Sequence, residues 1–134
     1  MTDPVTGTKV WLFDALETLV SQTPGPLTLA VARFYSGPVD AEVRRRFVAA
    51  GKKVAFFHDW RKTTTYDVEA RDELLRWARS SLPHTRQVGI QIAKDASVFI
   101  RIAATTAVSA LRLARVPISQ IEDIDALAAQ LAGR

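Results

Sequence analysis

The sequence predicts a single-domain α/β fold: a mixed β-sheet, antiparallel in its first strands and parallel in its later ones, covered by about four helices. Three observations carry this expectation. Short β-type runs alternate with segments of helical period through most of the chain, and such alternation implies right-handed crossovers between parallel strands. The 134 residues are 48% hydrophobic and 24% charged, a balance that supports one ordinary core. No internal repeat or low-complexity segment divides the chain, so one domain is expected over 9–134 after a flexible lead-in at 1–8.

The elements follow in order. Residues 1–8 mix Pro, Thr and Gly and are expected to fray, after which Val10-Trp11-Leu12-Phe13 reads as a short strand. Residues 15–20 either continue an antiparallel ribbon or form a helical turn, and Pro24-Gly25-Pro26 ends whichever it is. The run from Leu27 to Tyr35 alternates large and small residues and predicts a strand, broken by Ser36-Gly37-Pro38. Asp40 is placed to cap a helix carrying Val43, Phe47 and Ala50 at helical spacing, with Gly51 as its stop. A buried strand over 53–58 follows, because Val54-Ala55-Phe56-Phe57 is apolar on both faces. A second helix is predicted to about Ser81, with Ala70, Leu74, Trp77 and Ser81 inward and Pro83 at its end. Val88 to Ala93 reads as a strand, and Ser97 opens a third helix through Arg115 that Pro117 closes. Only Arg101, Thr105, Ser109 and Arg112 form a polar stripe on it, so most of its circumference is expected to be covered by protein or a partner. A short strand over 118–122 and a terminal helix over 124–131, capped by Asp123 or Asp125, complete the chain.

Composition narrows the chemistry. With no cysteine there are no disulfides, thiol nucleophiles or thiolate metal sites, and two histidines, His58 and His84, are too few for a convincing zinc centre. No apolar run is long enough to span a membrane and the N-terminus lacks a secretion pattern, which predicts a cytoplasmic protein with no transmembrane segment. The net charge of +4 is a mild excess. The densest cluster, Arg44-Arg45-Arg46 with Lys52-Lys53, is interrupted by Phe47-Val48-Ala49-Ala50, the pattern of one wet helix face, and a nucleic-acid partner is not expected.

Three patterns taken together resemble the SpoIIAA-like family of the STAS and SEC14 superfamily. They are the strand Val54-Ala55-Phe56-Phe57-His58-Asp59-Trp60 leading to Tyr66-Asp67-Val68-Glu69-Ala70-Arg71, then Gln87-Val88-Gly89-Ile90-Gln91-Ile92-Ala93 before a long helix of small residues, and the ending Ile118-Ser119-Gln120-Ile121-Glu122-Asp123-Ile124-Asp125-Ala126-Leu127-Ala128. The resemblance covers roughly 9–131 and rests on order and spacing. It implies a STAS-like fold and, for STAS domains, protein contacts at the edge formed here by Asp59 to Asp67 and the start of the third helix. One feature departs: STAS anti-sigma antagonists carry a phosphorylatable serine at the start of the helix after the third strand, and Tyr66-Asp67-Val68-Glu69-Ala70 has none there. Thr63, Thr64 and Thr65 lie just upstream, where turn and capping roles are the commoner use of threonine.

Ligands of open α/β sheets sit outside the carboxyl ends of parallel strands, which gathers His58, Asp59, Lys62 and Thr63 to Thr65 beside Lys94, Asp95 and Ser97, with Glu122 and Asp123 nearby. Such a collection could bind an anion, but neither connection has a glycine-rich phosphate loop, so a structural rim of caps and surface ion pairs is the expected role. His58 and Asp59, adjacent on a strand, point to opposite faces and do not make a catalytic pair, and no Gly-x-Ser-x-Gly elbow presents a nucleophile. The expectation is a non-enzymatic, cofactor-free regulatory module that binds another protein. Its contact residues are expected to be Asp59, Trp60, Lys62, Thr63, Thr64, Tyr66, Asp67, Lys94 and Asp95, with a homodimer as one form of partner. The alternative, implied by the SEC14 side of the resemblance, is an apolar or lipid-like ligand beneath the third helix, whose apolar circumference a closed core explains equally well.

Overall fold

The computed structural model describes residues 1–113, 118–120 and 123–132. Five strands run in the order β1 (Lys9–Phe13), β2 (Thr18–Gln22), β3 (Val54–Trp60), β4 (Thr85–Ile92) and β5 (Ile118–Gln120), each hydrogen-bonded to the next. The β1–β2 pair is antiparallel and the other three pairs are parallel, the mixed sheet that the alternation of elements predicts. The ambiguous stretch at 15–20 resolves as a ribbon. A 3-10 turn at Asp14–Leu16, followed by Glu17 in the left-handed region (φ 49°), reverses the chain into β2.

The lead-in folds back along β1. The Met1 ammonium donates to the Val10 carbonyl at 2.7 Å, Thr2 bridges Lys9, and Asp3 is buried, accepting from the Thr6 hydroxyl at 2.6 Å.

The segment predicted as a strand over 27–35 is instead helical: α1 (Leu29–Phe34), then a wide π turn at Tyr35–Val39 that leads directly into α2 (Asp40–Arg46). The reason is local. Thr28 caps α1, its hydroxyl accepting from Val31 N–H at 3.3 Å, and Leu27, Val31 and Tyr35, four residues apart, all turn inward. Pro38, expected to break the chain path, sits inside the π turn, whose widened spacing accommodates a residue without an N–H. Asp40 therefore continues a helical path instead of capping it, and its carboxylate accepts from Trp77 Nε1 at 2.9 Å. Gly51 ends the segment at φ +72°, where only glycine is unstrained.

Helix α3 (Val68–Ser81) runs back along the sheet and buries Ala70, Trp77 and Ser81, with Leu74 half-buried. Helix α4 (Val98–Leu113) starts at Ser97, whose hydroxyl accepts from Ile100 N–H, and α5 (Ile124–Ala132) is capped by Asp123, which accepts from Ala126 N–H at 2.9 Å. The predicted helix end at Arg115, its stop at Pro117 and the strand extension over 121–122 lie outside the described residues.

Strand alternation divides the core between the two faces of the sheet. Leu19, Phe56, Val88 and Ile90 join Val31, Tyr35, Val43, Trp77 and Val108 on one face, while Val20, Ala55 and Phe57 meet Ile124 on the other. Helix α4 is apolar on two sides: Ile100, Ala104 and Val108 turn inward at four-residue spacing, whereas Val98, Ile102 and Leu113 are exposed. Those three residues are the part of the expected cover that this chain itself does not supply.

Candidate binding cavity

On β3, residues Phe56, His58 and Trp60 share one face because they are two apart. Their rings form a ladder, with His58 stacked on Trp60 at 5.4 Å and on Phe56 at 6.4 Å between centroids. Tyr35 meets the imidazole edge-on at 5.4 Å and Trp77 closes the group at 6.3 Å. The parallel register of β2 against β3 sets Ser21 opposite His58, and the two side chains meet, Oγ to Nδ1, at 2.7 Å. Tyr35 donates its hydroxyl hydrogen to Ser21 Oγ at 2.8 Å, and Thr23 Oγ1 lies 3.1 Å from the same phenol oxygen. Four buried polar side chains thus form one continuous chain through the core, Thr23–Tyr35–Ser21–His58. Burial alone depresses the imidazole to a pKa of about 4, so the ring is neutral at physiological pH, and burial raises the Tyr35 phenol above its ordinary value.

This chain ends at a cavity of about 150 Å³ between α3, α4 and the sheet. Phe56, His58 and Trp60 of β3 and Val88, Ile90 and Ile92 of β4 make its floor. Leu74, Leu75, Ala78 and Ser81 form the α3 wall, and Ile100 and Ala104 the α4 wall. Its lining is overwhelmingly apolar. Three polar atoms interrupt it: Trp60 Nε1, Thr63 Oγ1 and Ser81 Oγ are buried on residues that line the cavity and have no hydrogen-bond partner among the described residues, Thr63 and Ser81 being 5% and 3% exposed. A buried hydroxyl without a partner costs roughly 1–3 kcal/mol, which a bound group able to pair with it would recover. Arg71, exposed, stands on the lining of the same cavity.

The residues expected to form a partner surface divide into three sets. Trp60, Thr63 and Tyr66 line the cavity, and Trp60 is half-buried as the last residue of β3. Asp59 points through the opposite face, as the alternation predicts, and is buried there. Desolvation raises its pKa, but hydrogen bonds from Arg61 and Gln22 prevail and hold it below the ordinary carboxylate value. Arg61 also bonds Asp125 at 2.8 Å and so ties the end of β3 to α5. Lys62, Thr64, Asp67, Lys94 and Asp95 are exposed on the rim. Ser21, Thr23 and Tyr35 are the polar residues that the sequence does not single out, whereas Ser81 stands on the inward stripe expected for its helix: Ser21 pairs with His58 only through strand register, and Tyr35 lies in the segment expected to be a strand.

Each arginine of the cluster is paired with a carboxylate, of its own helix or of the β1–β2 turn. Arg44 pairs with Asp40 at 2.7 Å, Arg45 and Arg46 both pair with Glu42, and Arg46 reaches Asp14. Among the described residues no group of His, Asp and Glu is arranged to hold a metal ion, and no helix is long and apolar enough to cross a membrane.

No family model matches the sequence, and no curated protein matches it. A solved structure is similar: that of an uncharacterised protein of the DUF3478 family with a SpoIIAA-like fold from Shewanella loihica PV-4, 14% identical, with a TM-score of 0.59 and 98% of each chain covered. The order of strands, the antiparallel first pair, the parallel remainder and this full-length structural match together make the chain a SpoIIAA-like fold.

Proposed function

We propose that this protein is a non-enzymatic binder of a small apolar or amphipathic molecule, held in the cavity between α3, α4 and the sheet. The observation that carries the reading is a cavity of about 150 Å³ with apolar walls and two partnerless buried hydroxyls. A volume of roughly this size takes up a ring the size of benzene. Ser21 does not support hydrolytic chemistry, because its hydroxyl is fully buried between Tyr35 and His58. The absence of cysteine suits a cytoplasmic setting.

The test is titration of the ¹⁵N-labelled full chain with α-methylstyrene, followed by amide shifts. Saturable shifts confined to α3, α4 and the cavity strands, abolished in Ala104→Leu, are expected. Shifts that are absent or scattered over the surface would refute the reading.

A protein contact on the rim is a second reading, favoured by Val98 and Ile102, 69% and 57% exposed one turn apart beside Lys94 and Asp95. It fits a regulatory module, and a second copy of the chain is its testable case. Light scattering that shows a dimer, lost in Ile102→Asp with the cavity titration intact, would support it; a monomer at all concentrations removes that case.

A further inference from the structure

We propose that the cavity selects a neutral ligand carrying a hydrogen-bond acceptor, such as a ketone or ester carbonyl, and that His58 receives this acceptor through Nε2–H. This rests on the reading of the cavity as a binding site.

The placement of the donors points to one tautomer. Each hydroxyl in the buried chain has one hydrogen, and Tyr35 spends its own on Ser21. Thr23 then donates to Tyr35, and Ser21 is left to donate to His58 Nδ1. Three contacts serve four hydrogens, and this arrangement leaves the spare one on the ring at the cavity lining, not on Ser21 in the closed core, which makes Nδ1 an acceptor. The remaining ring hydrogen belongs on Nε2, which has no partner among the described residues. Stacking between Phe56 and Trp60 fixes the plane of the ring, and His58 lies on the cavity lining, so the cavity holds a rigid, oriented donor.

Charge selects against an anion. Burial keeps the imidazole uncharged, and the cation of the lining, Arg71, is exposed and pairs with Asp72. A carboxylate brought to His58 would lose its hydration without gaining a buried counter-charge. Trp60 Nε1, a second partnerless donor, and Thr63 Oγ1 and Ser81 Oγ, which can donate or accept, offer further points for a polar but uncharged group.

Three probes of similar shape test this: acetophenone, its hydrocarbon counterpart α-methylstyrene, and benzoate. In the wild-type chain at pH 7, imidazole ¹⁵N shifts are expected to show Nε2 protonated and Nδ1 unprotonated. Acetophenone is expected to move the Nε2 resonance and α-methylstyrene to leave it in place. His58→Phe should weaken acetophenone about tenfold relative to α-methylstyrene, the scale of one lost hydrogen bond in a dry site. Benzoate should not bind. If α-methylstyrene binds in the cavity but acetophenone leaves Nε2 unmoved, or benzoate binds as tightly as acetophenone, the donor role of His58 is wrong and the cavity reading stands. If no probe binds, both fall. The nitrogen shifts need no variant, so a His58→Phe chain that fails to fold leaves the test decisive.

Discussion

Acidification is expected to destabilise this protein well above the range in which its carboxylates titrate, and His58 is the cause. In the unfolded chain its imidazole takes up a proton near pH 6.5, while in the folded protein burial holds the pKa at about 4. Between these values the unfolded state binds more protons, so stability falls as the pH drops through the window and this group adds no further loss below about 4. The interval of about 2.5 pH units, at 1.36 kcal/mol each, sets a ceiling of about 3 kcal/mol. His84, whose pKa burial and nearby Arg44 also lower, acts in the same direction, whereas Asp59, held below its ordinary value, contributes its loss only at lower pH. Urea unfolding from pH 7 to 4, in wild type, His58→Gln and His84→Gln, separates these terms. The wild-type midpoint should fall steeply across the window, and His58→Gln, though less stable at pH 7, should show the shallowest slope. Equal slopes in wild type and His58→Gln would refute the argument, because they would mean that the ring gains its proton in the folded state as easily as in the unfolded one.

Other substitutions probe the same architecture. Tyr35→Phe removes the donor to Ser21 and leaves Thr23 without its phenol partner; a loss of about 2 kcal/mol is expected in urea unfolding. Gly51→Ala forces a side chain into φ +72° where no neighbour obstructs it, so a loss near 1 kcal/mol measures backbone strain alone. Trp60→Ala should lower the melting temperature by several degrees, since the indole packs on His58 instead of standing free. Arg45→Ala with Arg46→Ala should leave any DNA binding weak and its salt dependence shallow, because both guanidiniums are already paired with Glu42.

Much of the fold was legible because three strands announce themselves by sustained apolar character and the segments between them carry helical spacing and caps. Val54 to Phe57, Val88 to Ile92 and Ser97 before α4 are such cases. Leu27 to Tyr35 misled because its large residues satisfy a period of two and a period near four at once. The choice was made by the Thr28 cap and by the inward face of Leu27, Val31 and Tyr35, which tertiary contact reveals and alternation does not. The opposed directions of His58 and Asp59 were readable from strand geometry. The polar chain was not, since Ser21 meets His58 through the register of two strands 37 residues apart. The partnerless hydroxyls of Thr63 and Ser81 likewise belong to packing, and nothing in their immediate neighbours marks them.

That same span of 37 residues sets when the site can form. The β1–β2 ribbon closes across a short turn, but pairing β2 with β3 encloses the whole α1–α2 crossover, a loop whose closure costs about 3 kcal/mol of chain entropy. Tyr35 rides on that crossover, so its bond to Ser21 needs the crossover docked as well as the strands aligned. The buried relay is therefore expected to assemble late in folding. Substitutions along it should chiefly accelerate unfolding and leave the refolding rate nearly unchanged, which makes the lifetime of the folded chain, more than its rate of formation, the property that Ser21, Tyr35 and His58 control.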